Sequence, residues 1–396
     1  MVLRHSIQTN TPVDAERFIA YLLQIGRSAM APNLPSPTAK EYLPAAAPMD
    51  SALPEAAKVE ANPQKETYKV HLVWRNIIAF IYLHLGALYG LYLCVSLNAR
   101  FYTFLWAFLV AAMGAMGITA GAHRLWSHRA YKAKWPLRLM LAAFQTMAFQ
   151  NHIYEWVRDH RVHHKFSETD ADPHNASRGF FFSHVGWLLC RKHPDVRRKG
   201  ATVDMSDMDA DPIVVWQRRT YLVLMPLLCF VLPVWVPCYF WSEKGWYSWY
   251  VAGVMRYVLS LNGTWLVNSA AHIWGVKPYD KNISPTENRA VAIAAFGEGW
   301  HNYHHVFPWD YKAAELGNYK LNLTTAFIDF FAKIGWAYDL KAVPVALVKK
   351  RAERTGDGSW VNHHHKEGET ALWGWGDKDM SAEERTEIEQ YKEKSY

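Results

Sequence analysis

FYTFLWAFLVAAMGAMGITAGAH, residues 101–123, decides the fold. It holds no Asp, Glu, Lys or Arg, and it ends on a histidine. Spanning a bilayer takes about 20 mostly apolar residues, so this run is long enough. Three others match it in lacking charge: 76–99, 220–242 and 257–276. The last extends back to about Trp246, with Arg256 as its one charge. A soluble protein with four buried helices is the alternative, but soluble cores rarely need uncharged runs of this length. Only Arg100 separates the first two. The spacing predicts transmembrane helices over about 73–97, 101–121, 220–241 and 246–271, paired as two hairpins.

Composition agrees. The 396-residue chain is 51% hydrophobic and 15% aromatic, and its formal charge is +7. Two hairpins put both termini and the long 122–219 segment on one side. That segment is flanked by Arg124, Arg129, Lys132, Lys134 and Arg138 at one end and by Arg218 and Arg219 at the other, against Arg100 and Lys244 in the short links. Such an excess marks the cytosolic face. Trp74, Trp241, Trp246 and Trp249 suit interfacial belts. Two shorter apolar stretches, Pro136–Phe149 and Phe180–Cys190, suit helices lying at the interface. The expected fold is therefore an all-α integral membrane protein, with four transmembrane helices under a helical cytosolic cap. Cys94, Cys190, Cys229 and Cys238 show no metal spacing and no disulfide framework. Segment 18–25 is no convincing signal peptide. Residues 31–63 are rich in Pro and Ala and read as disordered, and Met30 can be the natural start, with 1–29 an upstream extension.

Histidine carries the chemistry. HRLWSH holds His123 and His128, HRVHH holds His160, His163 and His164, and HNYHH holds His301, His304 and His305. His272 follows Asn268 by four residues in NSAAH. Helix positions i, i+3 and i+4 share a face, so each trio presents its flanking pair and its middle member to different metals. His123 and His128, five apart, lie about 140° apart on an ideal helix and can reach two neighbouring metals. All the clusters fall on the same predicted membrane face. Nine imidazoles suit two metals better than one. Imidazole suits zinc, copper, iron and nickel alike. Zinc is not redox-active, and a membrane-facing site without a hydrolytic nucleophile points to iron and dioxygen.

GAHRLWSHRAYKA, EWVRDHRVHHKFSETDADPH, NSAAHIWGVKPYDKNI and GEGWHNYHHVFPWDY resemble the membrane acyl-CoA desaturases of the stearoyl-CoA desaturase family, with HNYHHVFPWDYKAAELGNY closest to the insect branch. The likeness covers about 70–358, between an N-terminal tail (1–69) and a polar C-terminal tail (359–396). It implies an oxygen-dependent enzyme that inserts a cis double bond into a long-chain saturated acyl-CoA. Delta-9 on palmitoyl- or stearoyl-CoA is the default, and insect positions such as Delta-11 stay open. It implies a di-iron centre with one iron on His123, His160, His164, His304 and a water on Asn268, and the other on His128, His163, His272, His301 and His305. It places Gln150, Trp156, Thr264 and Trp265 around a bend in the acyl tunnel, and Ala111 at its closed end between helices one and two. Arg158, Arg191 and Lys192, with Asn76, Asn151 and Asp159, are implied contacts of the CoA headgroup. Cytochrome b5 and its NADH-dependent reductase are the implied electron donors, the endoplasmic reticulum membrane the implied location, with termini and site cytosolic, and no nucleic acid is involved. Trp300 stands where many relatives carry Phe.

Two rivals fit less well. A membrane hydroxylase would share the histidines but need not share NSAAH or the CoA positions. A metal transporter would carry ionisable residues deep in its helices, where only His84 and Arg256 qualify. His363-His364-His365 reads as a solvated tail, and His152, His174 and His184 are given no ligand role.

Overall fold

The computed structural model describes residues 69–315 and 319–361, and the description below concerns the unit that begins at Leu72. The expectations for 18–25, Met30, 31–63 and His363–His365 lie outside the described residues.

The chain is mostly helical. Among the described residues, three helices are long and apolar enough to cross a membrane: Trp74–Val95, Phe101–Ser127 and Pro212–Trp241. A fourth helix runs over 245–268, from Gly245–Ser248 through Trp249–Met255 into Arg256–Asn268. It contains Arg256 and several polar residues, and it does not reach the same apolarity. Two boundaries differ from expectation. The second helix continues to Ser127 because its last eleven residues, Gly117–Ser127, wind as an i→i+5 helix. The third starts at Pro212 because the Asp211 carboxylate caps it, accepting from the amides of Ile213 at 2.9 Å and Val214 at 3.3 Å, and Pro is well suited to a first turn.

Outward faces of these helices are apolar. Ile78, Leu85, Val95, Phe108, Val223 and Tyr239 are all exposed, as lipid contact requires. Inward, the first helix packs on the fourth around Ala87, Leu93, Val251, Val254 and Met255. Gly90 makes this contact close: a Cβ there would lie 2.3 Å from the Tyr250 carbonyl oxygen. Small residues allow such approach where lipid gives no hydrophobic drive between helices. A polar tie joins the two short links, where the Glu243 carboxylate accepts from Arg100 N and Thr103 Oγ1, both at 2.7 Å.

The cap is helical too. Trp135–Ala148 lies where a short interfacial segment is expected, and Ile153–Phe166 follows it. His301–Val306, Leu323–Lys333 and Val345–Thr355 complete the larger pieces. One short antiparallel pair, Lys132–Ala133 with Ala337–Tyr338, closes one side. The cap core gathers Trp126, Leu137, Leu141, Ile153, Val157, Ile328 and Phe331. The 180–190 stretch coils briefly and then pairs with the start of the first helix, where Val73 N donates to Leu189 O at 2.8 Å. All four cysteines are free.

Candidate metal centre

Five histidines converge on one point and four on another. Ligand atoms of His123, His128, His160, His164 and His304 all lie within 4.8 Å of one another, and so do those of His163, His272, His301 and His305. Each residue arrives there through its helix. His123 sits in the terminal coil of the second helix, the HRVHH trio on Ile153–Phe166, His272 on the short turn Ala270–Ile273, and the HNYHH trio on His301–Val306. In both trios the middle-numbered histidine joins the set its neighbours do not.

This corrects the division of ligands implied by the resemblance, which put His128 with the second set. His128 Nε2 lies 2.8 Å from His160 Nε2, within the first. The i→i+5 winding is the cause. His128 N donates to His123 O at 3.2 Å, and residues five apart in such a coil come round to nearly the same side instead of lying about 140° apart.

The donor chemistry fits two cations. Nε2 atoms face one another at 2.9 Å (His123 and His304), 3.0 Å (His304 and His164), 3.0 Å (His272 and His301) and 3.1 Å (His305 and His301). Several of these rings have their other nitrogen engaged by a carboxylate: His123 Nδ1 with Glu298 at 2.7 Å, His163 Nδ1 with Asp172 at 3.0 Å and His272 Nδ1 with Glu168 at 2.8 Å. A neutral imidazole has one N–H. With that N–H donated outward, His123, His163 and His272 each turn a bare lone pair toward the other imidazoles. Burial first, and neighbouring histidines next, hold His128, His160, His164, His301, His304 and His305 well below the ordinary imidazole range, so added protons are a poor remedy. Cations bound among these nitrogens would take up their lone pairs, as neutral imidazole commonly does for metals. The outer carboxylates set tautomer and ring orientation.

Charge around the centre is arranged in layers. Arg124 is 1% exposed. Its Nη2 bonds Glu298 Oε1 at 2.7 Å, and its Nη1 donates to Tyr311 O at 2.9 Å and Thr325 Oγ1 at 3.0 Å. Burial would raise the Glu298 carboxyl, but Arg124 and His123 bring it down to about 2. Burial opposes ionisation of Asp172 as well, and His163 and His174 still hold it below the usual range. Glu168, Asp172 and Glu298 are not singled out by the sequence, and Arg124 reads there only as a flanking charge. Their signal is there: each lies within eight residues of a histidine motif, in stretches otherwise set for burial. His174 rests against His163 with ring centroids 4.4 Å apart, and His152 caps the HRVHH helix through Glu155 N. His184 bonds Ser269 Oγ at 2.9 Å and Asn262 Oδ1 at 3.1 Å.

A cavity of about 330 Å³ leads from the histidines down between the second and fourth helices. Asn268, Gln150, Trp156, Thr264 and Ala111 line it, together with His123, His160, His163 and His301. Gln150 Nε2 donates to Thr264 Oγ1 at 2.9 Å across the wall. Trp156 stacks on His160 at 4.9 Å. Two expectations fail here. No residue of the first helix lines the cavity, so Ala111 faces it from between helices two and four. Trp265 lies off the lining, packed on Phe80, His84 and His184.

The chain matches the fatty acid desaturase family over residues 99–320. The chain belongs to that family. An acyl-CoA Delta-9 desaturase of Acheta domesticus is 62% identical to this desaturase over 325 residues, which are 82% of this chain and 88% of the relative. A Delta12-desaturase of the same species is 59% identical over 350 residues, 87% and 95% of the two chains. A Delta(11) desaturase of Spodoptera littoralis is 54% identical over 317 residues, 80% and 90%.

Three of the residues expected at the headgroup, Arg158, Asp159 and Lys192, pair with one another. Asp159 accepts from Arg158 Nη2 at 3.0 Å and from Lys192 Nζ, and Glu155 lies 3.5 Å from each cation. Burial works against ionisation of Asp159, but Lys192 and Arg158 keep its carboxyl below the usual range. Asn76 Nδ2 donates to Leu188 O at 2.7 Å, which brings the first helix to the segment carrying Arg191 and Lys192. Asn151 O accepts from Gln145 Nε2 at 2.7 Å.

Proposed function

We propose that this desaturase places a cis double bond in a long-chain saturated acyl-CoA, at carbon 9 of palmitoyl- or stearoyl-CoA, using two irons and dioxygen. One observation carries the reading: two histidine nests sit at the head of a narrow, largely apolar cavity. His123, His128, His160, His164 and His304 would hold one iron. His163, His272, His301 and His305 would hold the other, and Asn268, which lines the cavity beside both nests, would contribute through a water. Bound there, iron supplies the oxygen chemistry that removes two hydrogens from adjacent methylenes.

The chain's residues do the rest. The apolar cavity excludes water and holds the acyl chain in register, and the Gln150–Thr264 bond and the Trp156 ring shape its wall. Holding the reacting methylenes in a near-attack geometry is the main contribution available to such a wall. Arg158, Arg191 and Lys192, with Asn76, Asn151 and Asp159, would take the CoA headgroup; Arg suits bidentate phosphate contact, and Lys supplies a point charge. Cytochrome b5, reduced through an NADH-dependent flavoprotein, would supply electrons from the cytosolic side of the endoplasmic reticulum membrane. On this reading helix 245–268 is the fourth span, with both termini and the site cytosolic. Carbon 11 is the second reading, because relatives of similar identity are named for carbons 9, 11 and 12.

Expression of the chain in yeast lacking its own desaturase, followed by mapping of double bonds, tests this. A cis-9 product is expected. A cis-11 product would favour the second reading. Protein and iron without any unsaturated product would overturn the central claim.

A further inference from the structure

The link between Trp135–Ala148 and Ile153–Phe166 forms part of the cavity wall, and its backbone is unusual. Phe149 and Asn151 both take left-handed φ, 49° and 67°, a region that Asn enters readily but a bulky residue such as Phe rarely does. Gln150 lies between them and reaches the cavity. Strained backbone of this kind persists only where its surroundings over-determine it.

Those surroundings sit outside the cavity. Gln217, on the third helix, is 0% exposed and is not part of the lining. Its Nε2 donates to Gln145 Oε1 at 2.7 Å and to Thr146 Oγ1 at 2.9 Å, and its Oε1 accepts from Ile153 N at 3.1 Å. Gln145, also fully buried, donates onward to Asn151 O at 2.7 Å. Gly117 lets the second helix close on this point: a Cβ there would lie 2.1 Å from Gln145 N. From the fourth helix, Tyr257 OH donates to Phe149 O at 3.2 Å, and its ring stacks on Phe149 at 5.4 Å and 17°. One amide of the third helix therefore grips the end of one cap helix and the first residue of the next. That next helix carries His160, His163 and His164.

We infer that Gln217, Gln145 and Tyr257 are positioning residues that fix the spacing between Gln150 and the histidine nests, and so confine the double bond to one pair of carbons. The inference rests on the desaturase reading above. An alkyl chain has no polar handle, so displacing the wall by on the order of 1 Å presents a neighbouring methylene. A network that is fully satisfied and buried is rigid enough to prevent that.

The test uses the full chain in the same yeast, with double bonds mapped and iron measured on the purified protein. Tyr257→Phe keeps the stacked ring and loses only the hydroxyl. Gln217→Glu keeps the acceptor for Ile153 N and loses both donors. Wild type is expected to give one dominant isomer. Each variant is expected to raise the share of the adjacent isomer about tenfold with iron per chain unchanged. The same single isomer from Tyr257→Phe, at whatever total yield, overturns the positioning role, even if Gln217→Glu fails to fold. A wild type that already makes mixed isomers overturns it too. A wild type with iron and no alkene overturns the desaturase reading itself, a distinct result.

Discussion

Glu298 shows how much one side chain holds in place. It accepts from Arg124 and orients His123, both buried. Glu298→Gln leaves the Arg124 guanidinium buried without a counter-charge, and removing one partner of such a pair costs about 3–5 kcal/mol. The variant is expected to unfold at lower temperature in detergent and to retain less iron, measured by calorimetry and metal analysis. Asp172→Asn and Glu168→Gln are gentler, because they remove orientation without stranding a cation. Each is expected to weaken iron binding about 10–100-fold, read as iron retained against a graded chelator. The histidines themselves were legible, since imidazole at helical spacing is a local pattern. Their carboxylate partners were not, because Glu298 meets His123 across 175 positions of chain and nothing local announces the meeting.

Elements decide which histidines share a cation. An ideal α-helix separates His123 from His128, and sequence spacing alone cannot announce an i→i+5 coil, which depends on how Gly117–Ser127 packs against Trp135–Ala148 and Ile153–Phe166. The same kind of tertiary packing moved the cavity away from the first helix, whose inward face is taken up by the fourth. Ala111 still lines the cavity, now between helices two and four. Ala111→Tyr is expected to shift products toward shorter acyl chains by about tenfold or more, in line with what one or two methylenes are worth in an apolar pocket. An unchanged chain-length profile would remove Ala111 from the set of length determinants. Gly90 tests the helix pairing: Gly90→Val drives a side chain into the Tyr250 carbonyl, at a cost of about 1–3 kcal/mol or more. Lower yield of folded protein, measured as the monodisperse fraction in detergent, is the expected outcome.

Across the whole molecule, the three apolar spans and the helical cap follow from charge-free runs and basic flanks that any reader of the sequence can mark. The helix at 245–268 is less apolar than these three, because it carries Arg256, Asn262 and Thr264. Metal should matter at this scale as well. A ligand bound only by the folded state stabilises it by about 2.7 kcal/mol when present at 100 times its dissociation constant. Stripping iron from the purified protein is therefore expected to lower its melting temperature in detergent, and adding iron back to restore it. No change on either step would mean that the two nests hold their shape without cations.

Arg256 also bears on how the protein is made. Buried in the fourth helix, it donates to Ala252 O of its own helix, and to Cys229 O of the third. On the four-span topology, a lone arginine near the middle of a helix resists transfer into lipid by about 2.5–3.5 kcal/mol. Its acceptor on the third helix is synthesised first. The third and fourth helices should therefore leave the translocation machinery as a pair, with the cation already shielded from lipid by the preceding helix.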